Sequence, residues 1–185
     1  MQVICDVDKR IIMMHVGCPG SCADSTVFKW MAQYKKPHKY FSPGEYLLAD
    51  SAYGLSMTCI PAYKAPAANH PDNASFNYCL ARSRVHNEHC IGVLKSRWGS
   101  LREMRQQIQN VEEYDHLLEW VVSCCILHNM LAYLGDAWEE MFLDDEDGEP
   151  QVTDENNIIN VPTVNHFRDT LKRTTLETNR QCGVI

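Results

Sequence analysis

The stretch Val121-Val122-Ser123-Cys124-Cys125-Ile126-Leu127-His128-Asn129-Met130 constrains the fold most. It lies inside residues 111–134, which read as one long helix. Asn110, with Glu113 three residues on, resembles a capping box that uses Asn in place of Ser or Thr. A helix apolar almost all round cannot rest on a surface, so other elements are expected to bury it. The chain of 185 residues, 45% apolar, is long enough for one domain of ordinary size with a sizeable core. No apolar run approaches the ~20 residues that a membrane span needs. The opening MQVICDVDKRII has no basic region before its short apolar run and no small-residue cleavage site, so it reads as a strand and not as a signal peptide.

The elements available to surround that helix are few. Residues 2–5 and 11–16 read as strands of a hairpin about the polar turn Asp6–Arg10. Gly17-Cys18-Pro19-Gly20-Ser21 is a loop, followed by a helix over about 24–34 with Val27, Phe28, Trp30 and Met31 as its core stripe. Residues 45–50 form a short strand ending in an acid, and residues 61–74, with three prolines, read as loop. A second long helix is expected over 75–98, with Leu80, Val85, Ile91, Leu94 and Trp98 at helical spacing. Residues 165–178 can form a last short amphipathic helix. This order describes a mixed α/β domain with a shortage of strands for its length. The expected organisation is a domain over 1–143, an acidic solvated linker over 144–160 and a helical tail over 161–185.

Charge and thiols narrow the partners. Residues 1–143 carry 13 Lys+Arg against 15 Asp+Glu, while residues 144–155 hold seven acids and no base. One short run therefore sets the net charge of −7, which does not exclude a nucleic-acid partner. Between residues 76 and 110 six bases (Arg82, Arg84, Lys95, Arg97, Arg102 and Arg105) face only Glu88 and Glu103. The nine cysteines, without a secretory signal, read as reduced thiols of the cytosol or nucleus, with Cys124 and Cys125 as small core hydrophobes.

Three acids have positions that invite chemistry. Asp50 ends a buried-looking strand, the place where ligand crevices open in α/β sheets, although an acid there also caps a turn. Glu88 lies on or beside the apolar stripe of its helix, where a carboxylate needs a metal or a partner such as Arg84. Asp24 begins a helix, where an N-cap is the plain reading. His86, His89 and Cys90 crowd one helix but lack a second pair at zinc spacing, and His128 reads as a hydrogen-bonded core histidine. The sequence has no Walker loop and no GxGxxG, GxSxG or HExxH. Carboxylates beside a basic helix, without a serine or thiol nucleophile, suit two-ion phosphodiester chemistry.

At this point the residues resemble a family. Gly17 to Ser25 (GCPGSCADS), Leu47 to Tyr53 (LLADSAY), Arg84 to Glu88 with Gly92 to Trp98 (RVHNE, GVLKSRW) and Cys125 to Met130 (CILHNM) are similar, in order and spacing, to the motifs of PIF/Harbinger transposases and their domesticated nuclease relatives, the DDE superfamily endonucleases. The similarity runs from about Val3 to Tyr133. It implies an RNase H-like mixed sheet with flanking helices and divalent-metal-dependent DNA cleavage. Asp50 matches the second catalytic acid, Glu88 the third, and Asp24 a further acid of the metal site. Mg²⁺ or Mn²⁺ is the implied cofactor. DNA is the implied partner, held by Arg82, Lys95, Arg97, Arg102 and Arg105. The nucleus is the expected compartment, with the cytoplasm also open, and a separate DNA-binding protein is a further candidate partner. No membrane partner is expected.

One departure from the pattern matters. The family's first Asp lies on the first strand, in a GxxDGTH-like segment that these residues do not contain. The chain is therefore expected to be a C-terminal portion of such a domain, lacking the first strand and exposing a sheet edge open to self-association. The alternative reading is a catalytically inactive DNA-binding or protein-interaction remnant of such a transposase.

Overall fold

A computed structural model describes residues 1–104, 106–135 and 162–182. The expected acidic linker, 144–160, lies outside them. The described elements run β1 (Gln2–Cys5), β2 (Ile11–His15), α1 (Asp24–Trp30), α2 (Ala32–Lys35), β3 (Leu47–Ala49), β4 (Cys59–Pro61), α3 (Pro71–Arg97), α4 (Val111–Tyr133) and α5 (Pro162–Gln181). The fold is mixed α/β, as expected. Its described strands form two separate two-stranded sheets, β1–β2 antiparallel and β3–β4 parallel. The chain divides into two compact units: Met1–Cys22 with Val85–Glu149, and Ala23–Arg84 with Pro150–Ile185. No helix among the described residues is long and apolar enough to cross a membrane.

The first unit is built on the hairpin, the second half of α3, and α4. Val3 and Ile11 pack with Cys90 and Leu94 of α3 and with Cys124 and Cys125 of α4. Asn110 Oδ1 accepts the Glu113 N–H at 2.8 Å, while Glu113 Oε2 accepts the N–H of Gln109 at 2.8 Å, one residue before the cap itself. The apolar middle of α4 is not buried all round. Val121, Cys124, Cys125 and His128 are buried, but Ile126, Leu127 and Met130 stand about half exposed, because only one face of the helix meets the hairpin and α3.

The second unit gathers Ile60, Tyr63, Phe76 and Leu80 into a core, with Phe167 and Leu171 of α5 packed against it. Tyr63 Oη donates to Asp169 Oδ1 at 2.8 Å, and the Arg168 guanidinium lies 3.9 Å from the Tyr63 ring centroid. The tail helix is thus part of this unit's packing. Burial, and then the hydrogen bond to Asp169, pushes the Tyr63 hydroxyl up to about 12.

Several local expectations change. The helix over 24–34 is interrupted at Met31, whose backbone is extended, and Trp30 is exposed. Val27 and Phe28 on one arc of α1, and Met31 at the break that follows it, are buried, while Trp30 falls outside that arc. Residues 59–61, read partly as loop, form β4 around the fully buried Ile60. Pro71 opens α3 four residues early, since proline fits the first turn, where its missing N–H costs nothing. Between Leu80 and Cys90 no side chain of α3 is buried, and Val85 is exposed. That helix serves two cores and carries no single stripe.

Candidate functional site

Asp24 is the first helical residue of α1 and is exposed; the N-cap is Ala23, which makes no side-chain capping bond. The plain N-cap reading therefore does not hold for Asp24. Asp50 follows β3 directly and is half-buried, and its carbonyl accepts the Tyr53 N–H at 3.1 Å. The Tyr53 ring meets Phe28 of α1 edge-on, with centroids 5.7 Å apart. An aromatic contact thus ties the turn after Asp50 to the helix that Asp24 begins. Both acids belong to the second unit, and Glu88 belongs to the first. Glu88 is exposed and not turned toward a core, so the burial argument for a partner falls away. Carboxylates are suitable donors for a hard cation. Even so, no three His, Cys, Asp or Glu side chains among the described residues are grouped to hold one.

The basic residues divide by role. Arg82 is exposed, with its guanidinium 5.9 Å from the Tyr78 ring centroid. Lys95 is exposed near the end of α3. Arg102 folds back on that end, its Nε donating to the Lys95 carbonyl at 3.1 Å and its guanidinium bonding Ser96 Oγ. Positive charge there also suits the negative end of the helix dipole. Arg97 is half-buried and turned inward: its Nη1 lies 3.3 Å from His128 Nδ1 and 3.4 Å from the His128 carbonyl. Arg105 lies outside the described residues.

What the sequence reading missed is how His128 and Asn129 act together. His128 is buried, and its Nε2 lies 2.9 Å from the Lys9 carbonyl and 3.7 Å from Cys90 Sγ. A carbonyl only accepts, so Nε2 carries the hydrogen and Nδ1 faces Arg97 as acceptor. The Lys9 backbone held in this way is left-handed, with φ 58°. Asn129 Oδ1 accepts the Ile11 N–H at 2.8 Å, and its Nδ2 donates to the Ile11 carbonyl at 2.7 Å. The two residues clamp the start of β2 onto α4. Gly17 is a second clamp point. Its φ of +86° suits glycine, Tyr114 Oη donates to its carbonyl at 2.7 Å, and a Cβ there would stand 2.7 Å from that oxygen.

The thiols are not arranged as nucleophiles. All nine are free, and burial pushes Cys59 up to about 12 and raises Cys124 and Cys125. A hydrogen bond between Cys5 and Cys90 lowers the first and raises the second.

Comparison with known proteins gives two matches. A family model described as "DDE superfamily endonuclease" covers residues 1–129. "Protein ALP1-like" of Arabidopsis thaliana is 23% identical over 159 residues. That alignment covers 79% of this chain and 37% of the relative, so the chain spans well under half the length of the curated protein it matches. No solved structure matches significantly.

Proposed function

The chain belongs to the DDE superfamily endonucleases, and on that basis we propose that it supplies part of a divalent-metal-dependent nuclease domain of the Harbinger-transposase kind, acting on DNA phosphodiesters. The supporting observation is the Phe28–Tyr53 contact, which joins the helix begun by Asp24 to the turn that follows Asp50. Asp24, Asp50 and Glu88 would hold the ion through carboxylate oxygens, the donors that Mg²⁺ or Mn²⁺ takes. When bound, such an ion supplies Lewis acidity to a phosphodiester. Arg82, Lys95 and Arg102 are the exposed cations that would lie along the DNA backbone. A nuclear location follows from a DNA substrate. An RNase H-like sheet, with a first strand that carries the family's first acid, is part of the same reading.

The test is nicking of supercoiled plasmid with Mg²⁺ or Mn²⁺. It compares this chain with a version extended at its N-terminus by a first-strand segment bearing the GxxDGTH acid. Weak or no nicking by the 185-residue chain is expected, with activity in the extended version that Asp50→Ala or Glu88→Ala abolishes. Absence of nicking from both would replace the nuclease reading with that of a non-catalytic DNA-binding or interaction module. Robust nicking by the short chain would place the missing acid elsewhere, at Asp6 or Asp8.

A further inference from the structure

The outward face of α4 changes character along its length. Glu112, Asp115 and Glu119 stand three and four residues apart, and Ile126, Met130 and Tyr133 repeat that spacing; all six are exposed. At 3.6 residues per turn they fall on one stripe about 30 Å long, acidic over its first ~10 Å and apolar over its last ~10 Å. Tyr133 is 80% exposed and Met130 56%. Both line an open hollow of about 340 Å³ with Asn129 and Leu134. Apolar side chains in such a row are more than singly scattered surface residues. The helix does not use the three acids for its own cap, which Asn110 and Glu113 make.

We propose that this stripe seats an amphipathic helix of a partner protein, lying antiparallel to α4. Its N-terminal half would place apolar residues at i, i+3 and i+7 over Tyr133, Met130 and Ile126. Its last two turns would place Lys or Arg over Glu119, Asp115 and Glu112. The charge pattern selects this occupant. Cations are favoured at a helix C-terminus, and α4 keeps its acids at its own N-terminus, so the antiparallel arrangement aligns both charge pairs and both dipoles. A second copy of this chain fits poorly. Parallel pairing sets acids against acids, and antiparallel pairing presses carboxylates onto the apolar half and strips their water. An anionic membrane surface is repelled by the same three carboxylates. This recognition mode, apolar anchors in a seat with a charged end to set direction, stands apart from any nuclease activity.

The test uses the full chain and a labelled synthetic helix of about twenty residues, with Leu in its N-terminal half and Lys in its C-terminal half at the matching spacing. Fluorescence anisotropy should show binding that weakens as salt rises. Met130→Glu should weaken it at least about tenfold, and Asp115→Lys with Glu119→Lys should turn the preference to a peptide bearing Glu in place of Lys. All these positions are exposed, and thermal melts followed by circular dichroism serve as the check that the variants fold. The proposal is overturned if the matched helix does not bind, or if it binds wild type and Met130→Glu equally. Dimerisation of the chain in sedimentation that Met130→Glu abolishes would assign the stripe to a second copy. Cosedimentation with phosphatidylserine vesicles, abolished in the same variant, would assign it to a membrane. Either result refutes the proposal.

Discussion

Replacing Asn129 by Ala tests the clamp between α4 and the hairpin, because two opposing effects of known sign meet there. The side chain makes two hydrogen bonds with the backbone of Ile11, 118 residues earlier. Each contributes about 1 kcal/mol net, and the part-buried N–H and carbonyl left behind add a desolvation cost of about 1 kcal/mol or more. Against this, Ala is a better helix former than Asn by under about 0.7 kcal/mol. The expected balance is a loss of about 2–3 kcal/mol, a large share of the ~5–15 kcal/mol that holds a domain together. Urea denaturation should show the midpoint falling with the slope unchanged, because the denatured state is not altered. Hydrogen exchange should localise the effect: the Ile11 amide should exchange faster, while the amides across the β1–β2 ladder change less. Asn129→Asp sharpens the test, since a carboxylate keeps the acceptor for the Ile11 N–H but sets an oxygen against the Ile11 carbonyl. It should fall at or below Ala in stability. An Asn129→Ala chain as stable as wild type, or more so, would mean that helix propensity is the only effect and that the clamp contributes nothing.

Arg97→Ala should lower stability by about 1–2 kcal/mol, because it removes a charged donor from His128, and should leave the salt dependence of DNA binding almost intact. Arg82→Ala with Lys95→Ala should flatten the plot of log affinity against log salt by about 0.9 for each phosphate no longer neutralised, with little change in melting temperature. Tyr63 is held above its ordinary value of 10, so the folded state keeps a proton there that the unfolded state loses. Its contribution to stability is full below pH 10 and is lost as pH rises toward 12, and tyrosinate absorbance should show this residue titrating late. Alkylation of native protein at mildly alkaline pH should reach the exposed Cys182 first and spare Cys59, Cys124 and Cys125 until denaturant is added.

The sequence by itself determined what depends on neighbours within a turn or two of helix. The Asn110–Glu113 cap, the hairpin, the ends of α4 and the strand before Asp50 were legible, because capping bonds, period-two and period-3.6 patterns and turn residues are local. The four ordered motifs were legible too, and the family match over residues 1–129 bears out the resemblance they carried. Only the tertiary structure decided which face of each element meets another. Glu88 stood on or beside an apolar stripe by its spacing but is exposed, because α3 turns one set of residues into each of two cores and leaves the stretch between them open. Arg97, one of the residues that the resemblance assigns to DNA, reaches His128, 31 residues on, a contact that no local pattern announces. The all-round apolar character of α4 promised complete burial, yet only the side facing Val3, Ile11 and Leu94 is covered. Such outcomes depend on contacts between residues distant in the chain. A local pattern states only that a side chain can be buried or paired, while the partner, and so the role, is fixed by what packing brings alongside it.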